Sequence, residues 1–168
     1  MSKERTQVLN SIQVEQKLMR MAHEILENNY REKEIVLIGI VGNGSAIAER
    51  LSSILRGIAE FKVITCFIEL DKSKPASVDV VFHGDTKALK GKSILIIDDV
   101  LNSGRTVMYA TRYLLDFGPQ TVAVAALVER FHRKYPIRAD YVGLTLSTNL
   151  KEHVAVELIQ GKEAVYLE

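Results

Sequence analysis

Asp98 and Asp99 stand side by side at the end of an apolar run, Ser93-Ile94-Leu95-Ile96-Ile97, and Val100-Leu101-Asn102-Ser103-Gly104-Arg105-Thr106 follows directly. Paired carboxylates at the carboxyl end of a buried strand can accept hydrogen bonds from neighbouring hydroxyls, such as those of a sugar. The small, hydroxyl-bearing turn from Leu101 to Thr106 opens a helix. Unpaired backbone N–H groups and the positive end of the helix dipole therefore converge beside the acids, and that point suits a phosphate. Sugar acceptors next to an anion cradle describe a site for a ribose 5-phosphate.

Three further stretches could join it. Gly42-Asn43-Gly44-Ser45 lies between an apolar strand, Ile35 to Val41, and a helix marked by Ala46, Ile47, Leu51, Ile54 and Leu55. Its glycines would let N–H groups approach a diphosphate closely. The polar stretch Leu70 to Asp79, with Asp71, Lys72, Ser73 and Lys74, reads as a mobile loop long enough to act as a lid. Glu129-Arg130-Phe131-His132-Arg133-Lys134 would emerge at the end of a continuous apolar strand, Thr121 to Val128.

The elements that must position these residues follow from periodicity. Thr6 to Leu9 reads as a short edge strand, and Asn10 or Ser11 caps an amphipathic helix from Ser11 to Glu27 carrying Ile12, Leu18, Met19, Ala22, Ile25 and Leu26. Further strands are expected at Lys62 to Glu69, Val78 to Phe82, Tyr141 to Leu146, Val154 to Leu158 and Ala164 to Leu167, and a helix from Arg105 to Phe117 closed by Gly118-Pro119. Long connections between the strands starting at Ile35, Ile94 and Thr121 predict an α/β fold with a mostly parallel sheet flanked by helices. Such sheets bind ligands beyond the carboxyl ends of their strands, where all the glycine, acid and basic segments would gather.

Bulk properties narrow the class. The 168 residues fit one domain spanning 1–168, and 47% hydrophobic residues supply its core. With 22 Lys and Arg against 21 Asp and Glu, a net charge of +1 gives no global attraction to nucleic acid; Arg130, Arg133, Lys134 and Arg138 form only a local basic cluster. The lone Cys66, in the apolar run Val63 to Ile68, reads as a buried structural thiol, and His23 as a packed or surface residue without metal-ligand spacing. No protein-held metal site is assigned. No apolar run approaches the ~20 residues of a membrane span, so a cytoplasmic protein is expected.

The central run resembles the phosphoribosyl diphosphate (PRPP) signature of type I phosphoribosyltransferases. Together with Ala22 to Asn29, the Ile35 strand and its glycine turn, and Leu127 to Gly143, it resembles the bifunctional pyrimidine-operon attenuator and uracil phosphoribosyltransferase family, from about Val8 to Val156. The resemblance implies a single-domain type I phosphoribosyltransferase fold, self-association as a homodimer, and Mg²⁺-assisted transfer of ribose 5-phosphate from PRPP to a nucleobase such as uracil. It places the ribose hydroxyls on Asp98 and Asp99, the 5-phosphate on Asn102, Ser103, Gly104, Arg105 and Thr106, and the diphosphate on Gly42, Asn43, Gly44 and Ser45. It sets the base against Val128, Glu129, Arg130, Phe131, His132 and Arg133. Asp98, Asp99 and Arg105 are its catalytic candidates, and RNA is its further possible partner.

This chain departs from that pattern in two places. The diphosphate loop of the branch usually carries Thr-Arg-Gly where this chain has Gly42-Asn43-Gly44, and the mobile loop begins Tyr-Arg-Asp where it has Phe67-Ile68-Glu69. Two anion-facing arginines are missing, which Lys72 or Lys74 would have to replace. Asn102 cannot act as a general base near neutral pH, which argues against hypoxanthine-guanine chemistry.

Overall fold

The computed structural model describes residues 5–71, 73 and 80–168. The elements run β1 (Thr6–Leu9), α1 (Ser11–Asn29), β2 (Glu34–Ile40), α2 (Asn43–Ile58), β3 (Lys62–Glu69), β4 (Val81–His83), a short 3₁₀ turn (Thr86–Leu89), β5 (Ser93–Leu101), α3 (Arg105–Leu115), β6 (Thr121–Arg130), β7 (Tyr141–Leu146), β8 (Val154–Glu157) and β9 (Ala164–Leu167). The expected strand from Val78 begins outside the described residues; its described part is β4.

Six strands form the main sheet in the order β4-β3-β2-β5-β6-β7, parallel except for β4. Alternation along the strands sends side chains to two cores. Ile35, Leu37, Leu95 and Ile97 pack with α1 and α2, whereas Val36, Ile38, Ile94 and Ile96 pack with Val107, Ala110 and Leu114 of α3. Both faces of the central strands are thus covered, which is why β2 and β5 read as unbroken apolar runs.

Asn10 caps α1 as the sequence predicts: its side chain accepts from the Gln13 N–H while the Gln13 side chain accepts from the Asn10 N–H. α1 continues to Asn29, two residues beyond expectation, because Asn29 turns its amide back onto the Ile25 carbonyl inside the helix. Cys66 is buried, and burial, followed by the nearby Asp85 charge, pushes its thiol pKa up. Among the described residues no helix is long and apolar enough to cross a membrane.

A second sheet, β1-β9-β8, is antiparallel throughout and was not foreseen as a unit. It joins the α1–α2 core through Leu9, Val154 and Val165. Glu163, just before β9, accepts from Ser11 Oγ at 2.6 Å and from Arg50, tying this sheet to the start of α1 and the middle of α2.

Candidate active site

β2 and β5 are neighbours, while β3 lies outside β2 and β6 outside β5. The chain's direction of winding therefore reverses between β2 and β5, and a crevice opens at their carboxyl ends. A cavity of about 610 Å³ occupies that place, lined by Asn43, the run from Asp98 to Val107, and His153, Val154, Ala155 and Val156. This volume suits a small ligand.

Both acids lie inside β5 rather than after it. The strand runs on to Leu101 because Asp98 is still paired with Ala126, Val100 with Val128 and Leu101 with Glu129. Asp98 is buried and its Oδ1 accepts from the Asp99 N–H at 3.0 Å; Asp99 is half-buried and its Oδ1 accepts from the Val100 N–H at 2.8 Å. Each carboxylate is braced by a backbone N–H.

The turn that follows is held from outside. Gly104 has φ +84, the left-handed region in which a side chain is strained, and a Cβ there would also meet Ile137 at 3.1 Å. Ser103 O accepts from the N–H groups of Lys134 and Tyr135 at 3.0 and 3.1 Å, and Ser103 Oγ accepts from the Arg105 N–H at 3.3 Å. The segment after β6 thus wraps the turn and fixes the start of α3. Arg105 is exposed at that start, beside the cavity.

The glycine turn is shorter than expected, since Asn43, Gly44 and Ser45 already belong to α2. Gly42 alone uses glycine's conformational freedom, at φ +114. Gly44 is buried, and a Cβ there would lie 2.7 Å from the Ile97 carbonyl, so its role is close approach of α2 to β5. Of the four residues only Asn43 lines the cavity, and its Nδ2 donates to Asp99 Oδ2 and to Val156 O, each at 2.9 Å.

The stretch expected to border a base is placed differently. β6 extends to Arg130, so Glu129 and Arg130 are buried strand residues and not part of an exposed strand-end segment. Val128 belongs to the core. Glu129 Oε1 accepts from Arg133 Nη2 and the Ala139 N–H. Arg130 donates to Asn102 Oδ1, Thr148 Oγ1 and the carbonyls of Asn149 and Glu152, joining the phosphate-type turn to the segment that leads into β8. It is a brace, not a surface cation. His132 Nε2 donates to Thr148 O at 2.7 Å, and Phe131 is exposed. None of residues 128–133 lines the cavity.

Asp71 and Ser73 are exposed, with the Ser73 N–H and Oγ donating to Asp71 Oδ1. Lys72 and Lys74 lie outside the described residues. Phe67, Ile68 and Glu69 stand in β3, paired with β4. The wall from His153 to Val156 escaped the sequence reading, because its place at the crevice rests on long-range contacts, the pairing of β8 with β9 and the Asn43 bond to Val156 O, that leave no local trace.

Residues 4–160 match the family described as phosphoribosyl transferase domain. The chain belongs to the phosphoribosyltransferase family. It is 35% identical over 176 residues to the Bifunctional protein PyrR of Pelotomaculum thermopropionicum, covering 99% of this chain and 97% of that protein. For the Bifunctional protein PyrR of Streptomyces coelicolor the identity is 39% over 171 residues, covering 95% and 88%. The resemblance read from the Asp98–Thr106 run is therefore borne out. Among solved structures, a hypoxanthine phosphoribosyltransferase of Staphylococcus aureus aligns with TM-score 0.72 and 20% identity, covering 88% of this chain and 80% of that one. The hypoxanthine phosphoribosyltransferase of Trypanosoma cruzi gives TM-score 0.72 at 17% identity, covering 84% and 81%. At such identities the likeness establishes the fold alone, that of a type I phosphoribosyltransferase.

Proposed function

We propose that this phosphoribosyltransferase moves ribose 5-phosphate from PRPP to uracil or a related base, releases diphosphate, and works as a homodimer. The observation that carries the reading is the convergence of Asp98, Asp99 and the Asn102–Thr106 turn on one cavity at the reversal point of the sheet. Asp98 and Asp99 take the ribose hydroxyls, and the backbone N–H groups at the start of α3, with Ser103 and Thr106, take the 5-phosphate.

Breaking the bond between C1 of the ribose and the diphosphate oxygen leaves positive charge on the sugar and negative charge on the leaving group. The two carboxylates lie on the side of the developing cation, and Arg105 offers charge to the phosphate end. The Gly42–Ser45 turn, which starts α2, faces the diphosphate with backbone N–H groups in place of an arginine. Lys72 and Lys74, which lie outside the described residues, are the cations the sequence offers for that side.

The oxygen-only donor set of Asp98 and Asp99 fits Mg²⁺, which prefers one or two carboxylates together with substrate oxygens and water. Among the described residues no group of three His, Cys, Asp or Glu side chains could cage a metal. When bound, Mg²⁺ neutralises the diphosphate oxygens and makes them a better leaving group.

The test is diphosphate release from PRPP and Mg²⁺ with uracil, orotate, cytosine, hypoxanthine, guanine, adenine and xanthine supplied singly, alongside calorimetric PRPP binding. Release with uracil or another pyrimidine is expected. PRPP binding without turnover on any base would favour a second reading, a catalytically weak PRPP-sensing regulator that binds RNA. The missing arginines support that alternative. The burial of Arg130 counts against it, because only Arg133, Lys134 and Arg138 of the basic cluster remain exposed.

A further inference from the structure

Gly42, Asn43 and Gly44 act as one device. Gly42 turns the chain out of β2 at φ +114, and Gly44 lets the first turn of α2 lie directly on β5, where a Cβ would be 2.7 Å from Ile97 O and 3.3 Å from Asp98 Oδ1. The side chain between them is thereby brought to the end of β5. Asn43 Nδ2 donates to Asp99 Oδ2 and to Val156 O, each at 2.9 Å. A carboxylate and a carbonyl can only accept, so these partners fix which end of the amide faces them. Asp99 Oδ1 meanwhile accepts from the Val100 N–H at 2.8 Å. The carboxylate is held at both oxygens, by its own strand and by α2.

We infer that Asn43 is a positioning residue for the ribose end of the site: its side-chain amide orients the Asp99 carboxylate and locks it to β8, and that side chain does not bind the diphosphate. The inference rests on the transferase reading and gives Asn43 a different task within it. Both amide hydrogens are engaged, so contact of the side chain with a diphosphate would require releasing either the bond to the ionised Asp99, about twice as strong as a neutral one, or the bond that ties α2 to β8 at Val156 O. The two bonds span α2, β5 and β8, so the setting of Asp99 and the position of the β8 wall are coupled through one side chain.

Calorimetric titration with ribose 5-phosphate and, separately, with magnesium diphosphate distinguishes the roles. In Asn43→Ala the Kd for ribose 5-phosphate should rise about 10-fold, the scale of one hydrogen bond to a charged group, while that for magnesium diphosphate changes less than about 2-fold. Asn43→Asp, nearly the same shape, should lose at least as much, because a second carboxylate then faces Asp99. In an Asp99→Asn background, Asn43→Ala should add less than about 2-fold, as expected for two residues acting through one contact. Weakened diphosphate binding with ribose 5-phosphate unchanged would overturn the inference, as would fully additive losses in the double variant. If Asn43→Ala melts below the assay temperature, Asn43→Asp carries the same comparison. Wild-type protein that binds neither PRPP nor ribose 5-phosphate removes the transferase reading itself; wild-type binding that Asn43→Ala leaves unaltered removes this inference alone.

Discussion

At the scale of residues, the acids and the start of α3 differ in how much of the fold depends on them. Arg105 is exposed, and Asp99 is half-buried at the rim of the cavity. Asp99→Asn keeps the shape but gives up the negative charge, and Arg105→Ala removes a cation from the phosphate end. Each should weaken PRPP binding by about 10-fold or more, the loss of one charge-assisted hydrogen bond, with little change in melting temperature. Calorimetry and thermal melting on the same samples check this; a sharp fall in melting temperature with PRPP affinity intact would make the run structural. The chemistry of these residues was legible in the sequence because carboxylates, glycine and hydroxyls stand together. Asn43 was less legible: its place in the glycine turn suggested a diphosphate contact, and only its bonds to Asp99 and Val156 show where its amide is engaged.

At the scale of elements, the strands of the main sheet could be read because continuous apolar runs mark strands covered on both faces. Their carboxyl ends could not. Asp98-Asp99 and Glu129-Arg130 look like surface residues, yet β5 and β6 continue through them because the backbone ladder persists after the apolar run ends. The small sheet was invisible for another reason, since pairing between Thr6–Leu9 and Ala164–Leu167 leaves no local trace. Its attachment to the helices predicts an acid sensitivity. Hydrogen bonding from Ser11, then from Arg50, lowers the Glu163 pKa from 4.5 to about 2. A carboxyl group whose pKa is lowered on folding adds stability that is complete above about pH 4.5 and is lost as pH falls towards 2. Urea unfolding of wild type and Glu163→Gln at pH 6, 4 and 3 should show the variant less stable at pH 6 and the difference shrinking in acid. A constant difference would mean that ionisation of Glu163 plays no part.

At the scale of the whole molecule, the cleft has walls from two sheets of different construction. β5 and α3 supply one wall from the buried parallel sheet, and β8 supplies the other from a three-stranded sheet in which β9 is the central strand. A chain stopped after residue 161 would lack β9 and leave both β1 and β8 without a partner. Such a chain should lose ribose 5-phosphate binding and melt lower than the full chain by calorimetry; normal binding would show that the small sheet is not needed for the site.

The antiparallel pairing of β1 with β9 also bears on synthesis. β1 leaves the ribosome long before β9 exists, so its edge must wait while β2 to β7 are made and can begin to assemble. Until β9 arrives, β8 has no strand to pair with in the small sheet. The wall that β8 gives the cleft is therefore completed only after β9 has been made, and a messenger cut short before β9 would yield the strands of the main sheet without the finished small sheet beside them.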